Sequence, residues 1–414
     1  MLLNCRSVRC ATVAAAIFGW AAGAQAQTAL EDSVGERKHP DFEPIGISLG
    51  RDVSFLFFPK LEVDVAHTDN LFRTRTNEVS DQVLRINPSF EVRSDWDNHA
   101  LSLKGQLTQA YHKRTPSEDW TDYQVALGGR LDAFERSRLN GRLAFERGHE
   151  DRGSPDDPEQ NEPTVFHVAS LELSGAYNPD VILLQGTFTL RRRDFRDAGV
   201  VNNDDRDRVE IGLRGRAAYE YVPGSAAFIE GALDIREFDA RFDDDFVERS
   251  SHGWEVLVGN TLDLSGVTFA EVSAGYRRQT FDDARLDPTE GFSFSGRIVW
   301  NPTDLLSFDL NARRLVRETT VTGASSTFVS VFGLDADYEP LVNLIVNASL
   351  EYEVEDFQGI PRDDNSVRFS LGGRYLIGPN LHAGVTYEFE KRDSDAFGDN
   401  FTANSVTVFA SAQF

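Results

Sequence analysis

Arginine follows glycine at several widely spaced points of this chain. In an extended strand consecutive side chains point to opposite faces, so each arginine would face one side of a sheet and its glycine the other. A guanidinium group holds a carboxylate in a bidentate fork. A row of arginines could therefore bind anionic solutes or sugars, or could pair with acidic residues and brace neighbouring strands. The steps are Gly129-Arg130, Gly141-Arg142, Gly215-Arg216, Gly296-Arg297 and Gly373-Arg374.

Further charged residues alternate with apolar residues in the same way, which predicts a polar face opposite an apolar one. If the apolar face contacts lipid, the polar face lines a lumen. The predicted lumen-lining residues are Arg130, Arg142, Arg191, Arg193, Arg214, Arg216, Glu220, Arg277, Arg297, Arg313, Arg374 and Glu388.

Other patterns that could support catalysis or metal binding are weak. Gly46-Ile47-Ser48-Leu49-Gly50 matches the Gly-x-Ser-x-Gly nucleophile elbow, but no alternation of strands and helices surrounds it. The eight histidines have no metal-ligand spacing, and acidic runs such as Asp243–Asp245 do not match an EF-hand loop. We therefore predict no enzymatic activity, no cofactor and no metal. An outer-membrane barrel hydrolase is a weaker alternative, because it needs a Ser, a His and an acid to converge in the fold.

The beginning of the chain has the pattern of a cleaved secretory signal. Arg6 and Arg9 precede an apolar run, and Ala24-Gln25-Ala26 is a small-x-small cleavage pattern, so residues 1–26 are predicted to be removed. Both cysteines lie in this segment, which excludes thiol chemistry from the mature chain. Without it, 40 basic and 67 acidic residues give a net charge of −27, which disfavours nucleic acid as a partner. Residues 27–59 are predicted to be a periplasmic extension or a plug.

Residues 60–414 contain about eighteen segments of alternating polarity, with sixteen as the alternative count. Short breaks that contain Pro, Gly or Asn alternate strictly with long, mostly acidic breaks. This asymmetry predicts an all-β fold, a transmembrane antiparallel up-and-down β-barrel with short periplasmic turns and long acidic extracellular loops. Aromatic residues near both kinds of break predict two girdles, with Trp96, Tyr177, Tyr221, Trp300 and Tyr338 near the turns and Tyr111, Trp120 and Trp254 near the loops.

The segment 404–414 predicts the strand that closes the barrel. Val406, Val408, Ala410, Ala412 and Phe414 form its apolar row, and Phe409 interrupts the polar row. A strand at this position must either remain a sheet edge or close onto the first strand, here the segment 61–65. We expect Phe414 to act as the signal that barrel-assembly machinery recognises.

Two motifs near the first strands carry a family resemblance. The first is Asp69-Asn70-Leu71-Phe72-Arg73, and the second begins Ser94-Asp95-Trp96 and continues to Leu101. Together they resemble the putative beta-barrel porin 2 family, although His67-Thr68 departs from its usual pattern. The resemblance implies an outer-membrane barrel, and an association with capsule or exopolysaccharide export.

From these patterns we expect a porin-like channel that passes saccharide or helps to export exopolysaccharide. A non-conducting structural or surface-interaction barrel is the alternative. The expected partners are outer-membrane lipid, lipopolysaccharide, the barrel-assembly machinery and polysaccharide-export proteins.

Overall fold

The structure, a computed structural model, describes residues 42, 44–50, 55–134, 136–157 and 162–414. The predicted signal, residues 1–26, lies outside the described residues, as does much of the segment 27–59. None of the described helices is long and apolar enough to cross a membrane.

The described chain forms nineteen strands and two single-turn 3-10 helices, Pro116–Glu118 and Asp204–Arg206. The strands are β1 (Ile47–Ser48), β2 (Phe55–Thr68), β3 (Asp81–Ser94), β4 (Ala100–His112), β5 (Trp120–Phe134), β6 (Ser137–His149), β7 (Val165–Tyr177), β8 (Ile182–Phe195), β9 (Arg208–Val222), β10 (Ser225–Phe238), β11 (Ser251–Asp263), β12 (Thr268–Phe281), β13 (Thr289–Thr303), β14 (Leu306–Arg317), β15 (Thr327–Leu341), β16 (Leu344–Phe357), β17 (Asp363–Gly378), β18 (Leu381–Ser394) and β19 (Phe401–Gln413).

Strands β2 to β19 form a closed ring of eighteen strands. Each strand pairs antiparallel with the next, and β19 pairs with β2 from Ser405↔Thr68 to Gln413↔Lys60. The predicted fold and the count of eighteen are confirmed. Connections at one end of the barrel are tight, such as the turn at Gly224, and those at the other end are long, such as residues 239–250.

Alternation along each strand produces two different faces. On β9, for example, Leu213 and Tyr219 are exposed on the outer face while Arg216 and Ala218 are buried on the inner face. An apolar outer band and a polar interior are the arrangement expected of a membrane-spanning barrel.

The outer face carries the predicted aromatic residues near both ends, with one exception. Exposed aromatic side chains occur at Trp96, Tyr111, Tyr177, Tyr221, Trp254, Trp300 and Tyr338. The prediction was wrong for Trp120, which packs against the buried Ala66, Val83 and Ala110. Its position in β5 places it in the same row as Asp122 and Gln124, so the indole faces inward.

The seam between β19 and β2 is closed at the periplasmic end by main-chain contacts. The first barrel strand begins at Phe55, before the predicted boundary at residue 60, and its opening residues extend beyond the end of β19. The amide of Phe414 donates to the carbonyl of Pro59 at 3.0 Å. β1 then pairs with the exposed edge, Ile47 opposite Phe57 and Ser48 opposite Leu56, so a short strand covers an edge that would otherwise be unpaired.

The backbone pairing between β13 and β14 stops before the two strands end. β13 and β14 pair only as far as Ser295↔Arg313, although β13 continues upward to Thr289 and β14 to Arg317. Each of these upper ends is still paired with the strand on its other side, since β12 pairs with Thr289 of β13 and β15 pairs with Arg317 of β14. The upper ends of β13 and β14 are therefore parts of the wall that are not hydrogen-bonded to each other in register.

Candidate solute path

All twelve predicted lumen-lining residues lie on the inner face, in the rows opposite the exposed apolar side chains. Many of the arginines pair with carboxylates on neighbouring strands, as in Arg191–Glu210, Arg193–Glu210, Arg214–Glu230, Arg216–Glu230, Arg277–Glu255 and Arg297–Asp309. Arg130–Asp132 lies within β5, and Arg216–Glu271 joins β9 to β12, three strands away. This geometry favours bracing of the wall as their structural role, because a cross-strand ion pair joins two neighbouring strands.

Arg216 has the most enclosed environment of the Gly-Arg arginines. Its guanidinium lies between Glu230, 3.2 Å away, and Glu271, 2.6 Å away, and it covers the ring of Phe228 at 3.6 Å. Gly259 leaves room for that ring, since a Cβ there would lie 2.4 Å from it. The arginine is buried, so its charge is balanced by two acids and an aromatic face.

Arg374 has a different kind of neighbour. Its guanidinium lies 5.8 Å from the ring centre of Phe409, the aromatic residue that interrupts the polar row of β19. Phe409 is buried on the inner face over Gly384, where a Cβ would lie 2.5 Å from the ring. Of the remaining predicted residues, Glu220 accepts from the amide of Gly224 in a periplasmic turn, Glu388 accepts from the hydroxyl of Ser405, and Arg142 is exposed to the lumen.

Glu210 is the centre of an arginine cluster higher in the lumen. It accepts from Arg191, Arg193 and Arg208 at 2.9 to 3.1 Å. Arg236 lies nearby and pairs with Asp234 at 2.9 Å and with Glu318. Glu318 follows β14, so this contact joins β10 to the loop between β14 and β15.

The long connection after β6 folds into the barrel. Its residues 150–157, here called the crossing loop, contact the β2–β3 and β4–β5 loops and the first residue of β19. Arg152 pairs with Glu118 at 2.6 Å and lies over the ring of Phe72 at 5.9 Å. Gly153 lies against Arg73 and Phe401, since a Cβ there would be 3.2 and 3.1 Å from their side chains.

The tip of the crossing loop reaches the opposite wall. Asp156 Oδ1 accepts from Thr319 Oγ1 and from the Thr320 amide, both at 2.8 Å. These threonines lie between β14 and β15, and the crossing loop lies between β6 and β7. Around the ring, β14 is seven strands from β7 in one direction, and β15 is nine strands from β6 in the other. The crossing loop therefore spans the lumen close to a diameter and divides its extracellular half.

Charged groups also hold the base of the crossing loop. Glu150 pairs with Arg206 of the connection between β8 and β9. Burial raises the pKa of the Glu150 carboxyl, and the nearby Arg206 charge opposes this shift. Burial also raises the pKa of Asp205 beside Arg206. The Glu150–Arg206 pair thus lies at the base of the loop, and hydrogen bonds hold its tip.

A cavity of about 760 Å³ lies around the crossing loop. Its lining combines carboxylates, guanidinium groups and aromatic rings from many strands, among them Glu210, Arg236, Glu353, Phe195, Phe238 and Phe357. Arg317 contributes a further ion-pair network, since it contacts both Glu353 and Glu355. The cavity is a polar compartment with apolar faces, a size and composition suited to a small polar solute.

The first family motif locks the extracellular end of the β2–β19 seam. Asp69 accepts from the amide and the side chain of Asn404, both at 2.7 Å. Asn70 is fully buried and donates to the carbonyls of Thr74 at 2.7 Å and Thr402 at 3.0 Å. The motif thus fastens the first strand of the ring to the last.

The other motif residues lie around these contacts. Leu71 is buried, Phe72 faces Arg152, and Arg73 adopts a positive φ of 51° and pairs with Glu390 at 3.2 Å. In the second motif Ser94 Oγ accepts from the Leu101 amide, Asp95 is exposed, and Trp96 packs edge-on against Phe55 at 5.5 Å. Both motifs stabilise turns and strand ends rather than a catalytic site.

Ser48 lies in β1 opposite Leu56, so the Gly-x-Ser-x-Gly match is not on a strand-to-helix turn. No group of three or more potential metal ligands is present in the described part of the chain. Sequence reasoning missed the crossing loop, and its signal was weak. The segment is the longest acidic break, but length alone does not distinguish an inward loop from an outward one.

The closed ring, its apolar outer band and its polar interior define an outer-membrane β-barrel of the porin-like class. The chain belongs to the family described as Putative beta-barrel porin 2, whose model matches residues 39–414. This confirms the predicted family. No curated protein matches the chain.

Several solved outer-membrane proteins are similar to the chain at low identity. The outer membrane protein opdK from Pseudomonas aeruginosa is 12% identical, with 86% of this chain and 99% of that chain covered and a TM-score of 0.45. The ferric citrate transporter FecA is 11% identical, with 82% and 60% covered and a TM-score of 0.42. The siderophore receptor PirA from Acinetobacter baumannii is 7% identical, with 86% and 80% covered and a TM-score of 0.46.

Proposed function

We propose that the protein is an outer-membrane channel for small saccharides, with a path that passes through the cavity beside the crossing loop. The observation that carries this proposal is the composition of that cavity, which combines paired charges with aromatic faces. A sugar presents hydroxyl groups that can both donate and accept hydrogen bonds, and it presents C–H faces that pack on aromatic rings. The cavity offers partners for both.

The pairing of the arginines favours a neutral solute over an anion. Arg191, Arg193 and Arg208 all contact Glu210, so an incoming anion would have to compete with a carboxylate that is already bound. A neutral sugar can hydrogen-bond to such a cluster without separating it. An ion-paired wall therefore supports a saccharide path better than an anion-selective one.

Export of a polymer is a further step, and it would require the crossing loop to move. The contacts of Asp156 with Thr319 and Thr320 close the direct route through the centre of the extracellular half. We therefore propose that short saccharides pass with the loop in place, and that an exopolysaccharide would pass only after the tip has been released.

Conductance in a planar bilayer tests the channel. We expect the wild type to give small, steady current steps, and a short saccharide such as maltotriose to interrupt them. A variant with residues 151–163 replaced by a short Gly-Ser link should conduct several-fold more. Shortening residues 396–398, in a loop whose Phe397 is 99% exposed, is the matched control and should leave the steps unchanged.

A non-conducting structural barrel is the second candidate. The observation that favours it is the contact of the crossing loop with the opposite wall, which obstructs the lumen. If the wild type is silent and only the loop-shortened variant conducts, the protein is a barrel closed by its own loop. Silence of both proteins, with correct insertion, would contradict the channel altogether.

A further inference from the structure

The early end of the β13–β14 pairing leaves a break in the upper barrel wall. Below it, the two strands are paired up to Ser295↔Arg313. Above it, Thr289 at the start of β13 is hydrogen-bonded through its hydroxyl to Ser326, just before β15. The break is therefore bordered below by the sheet ladder and above by a side-chain contact.

Side chains rather than backbone pairs occupy this break. Arg314 Nη1 donates to the carbonyl of Phe292 at 3.4 Å, and its guanidinium lies over the ring of Phe328 at 3.7 Å. The Phe328 ring in turn lies 3.2 Å from the position of a Cβ at Gly291. Side chains can move aside with much less disruption than a hydrogen-bonded ladder, so this part of the wall can open locally.

The outer face beside the break is aromatic. Phe292 is 57% exposed, its neighbour in register on β12 is Tyr276, and the Tyr276 ring lies 6.0 Å from that of Trp254. Phe294 stacks on Phe332 at 5.8 Å. Aromatic belts mark the boundary between lipid and water, so the break begins at the level of the outer-leaflet head groups.

The cavity around the crossing loop extends to the same place. Its lining includes Arg313 and Leu315 of the inner row of β14, and also Phe294 and Arg314 of the outer rows. The cavity therefore extends as far as the residues of the break. Polar space inside and apolar surface outside are thus adjacent.

Arg314 has unused capacity to bind an anion. Among the described residues no carboxylate lies within ion-pair distance of Arg314, although the charge of Asp356 acts on it from β16, and its Nε is buried without a hydrogen-bond partner. Buried donors are normally satisfied, so an unpaired one requires an explanation.

We propose that the β13–β14 break is a binding site for an anionic, single-chain amphiphile of the outer leaflet. The phosphate or carboxylate head group binds Arg314, and the chain lies along Phe292, Phe294 and Phe332. This site is separate from the saccharide path and does not depend on ion conduction.

Equilibrium binding to the protein in nanodiscs tests the site, with dodecyl phosphate and dodecanoate as probes. We expect both to bind the wild type, and Arg314→Gln to weaken them about tenfold, the loss of one charge-assisted hydrogen bond. The matched control is Arg278→Gln, which removes an outward arginine of β12 that pairs with Glu290 at 3.2 Å. It should bind the probes as the wild type does.

Phe294→Ala tests the contribution of the amphiphile's chain to binding separately from that of its head group. It should weaken binding of the amphiphiles and leave inorganic phosphate unaffected, because only the chain contacts the ring. Equal loss in the Arg314 and Arg278 variants, or equal binding of dodecyl trimethylammonium, would overturn the proposal. Inorganic phosphate binding as tightly as dodecyl phosphate would also overturn it, since the site would then recognise a free anion.

Discussion

The carboxylate of Asp69 holds Asn404 through two hydrogen bonds of 2.7 Å, one to its backbone amide and one to its side chain. These residues lie at the extracellular ends of the first and last strands of the ring. Asn70 adds a donor to the carbonyl of Thr402 on the same seam. This family motif could have belonged to a binding site. Its contacts instead join the first strand of the ring, β2, to the last strand, β19.

Asn70→Ala should destabilise the barrel by about 1–3 kcal/mol, because it leaves buried backbone carbonyls without donors. The temperature at which the folded, fast-migrating form is lost on heat-modifiability gels should fall. Asp95→Ala is the control, since Asp95 belongs to the second motif but is exposed. Equal effects of the two changes would contradict the seam assignment.

Phe414→Asp should impair insertion into the outer membrane. The residue ends the apolar row of β19, its side chain is 55% exposed on the outer face, and its amide fastens β19 to Pro59. A carboxylate on this face would be placed against lipid or against the assembly machinery. Membrane fractionation and heat-modifiability measure the effect.

Phe397→Asp makes the same chemical change in an extracellular loop and should insert normally, because Phe397 makes almost no contact with the rest of the protein. Normal insertion of the Phe414 variant as well would show that the terminal aromatic is not an assembly signal.

Arg216→Ala should cost about 3–5 kcal/mol, because it leaves the buried Glu271 without its cation and removes one of the two arginines that pair with Glu230. Arg297→Ala should cost much less, since Arg297 is partly exposed and pairs with the single carboxylate of Asp309. Denaturant unfolding in detergent compares the two. If ion selectivity changes in the Arg297 variant while stability does not, that arginine also contributes to the solute path.

Acidification should hold the crossing loop more tightly. Burial raises the pKa of Glu150 in the docked loop above its ordinary value of 4.5, so the docked state binds a proton more readily than the released state. Its protonation therefore favours docking as the pH falls through the raised pKa, and this gain is lost as the pH rises. The charges of Arg206, Arg208 and Asp156 surround Glu150.

The expected result is a smaller conductance at acidic pH than at neutral pH. Glu150→Gln removes the titrating group and should therefore reduce the pH dependence. A wild-type conductance that rises on acidification would contradict this sign.

Strand alternation and turn chemistry were enough to predict the barrel and its strand number. These features follow from local rules, because side chains alternate in every strand and because turns and loops alternate around the ring. The pairing of Phe409 with Gly384 also has a visible signal, an aromatic residue in an otherwise polar row.

The crossing loop and the β13–β14 break could not be predicted in the same way. The crossing loop depends on a contact between residues far apart in the chain, Asp156 with Thr319. The break depends on where the backbone pairing of a hairpin ends and on side-chain contacts such as Thr289 with Ser326, neither of which alternation reveals. The prediction that Trp120 belongs to an aromatic girdle was wrong for a related reason. Its proximity to a long loop suggested a girdle, but the inner-face packing against Ala66 and Ala110 determines its direction.

The break between β13 and β14 also gives the barrel a mechanical weak point. A closed ring of hydrogen-bonded strands resists lateral tension at every strand pair. Under such tension it separates first at the pair joined by the fewest interstrand hydrogen bonds. The join between β2 and β19, where the two ends of the ring meet, is reinforced by Asp69, Asn70 and Phe414. Under tension the barrel would therefore unzip from the extracellular rim between β13 and β14, in the middle of a covalently continuous hairpin.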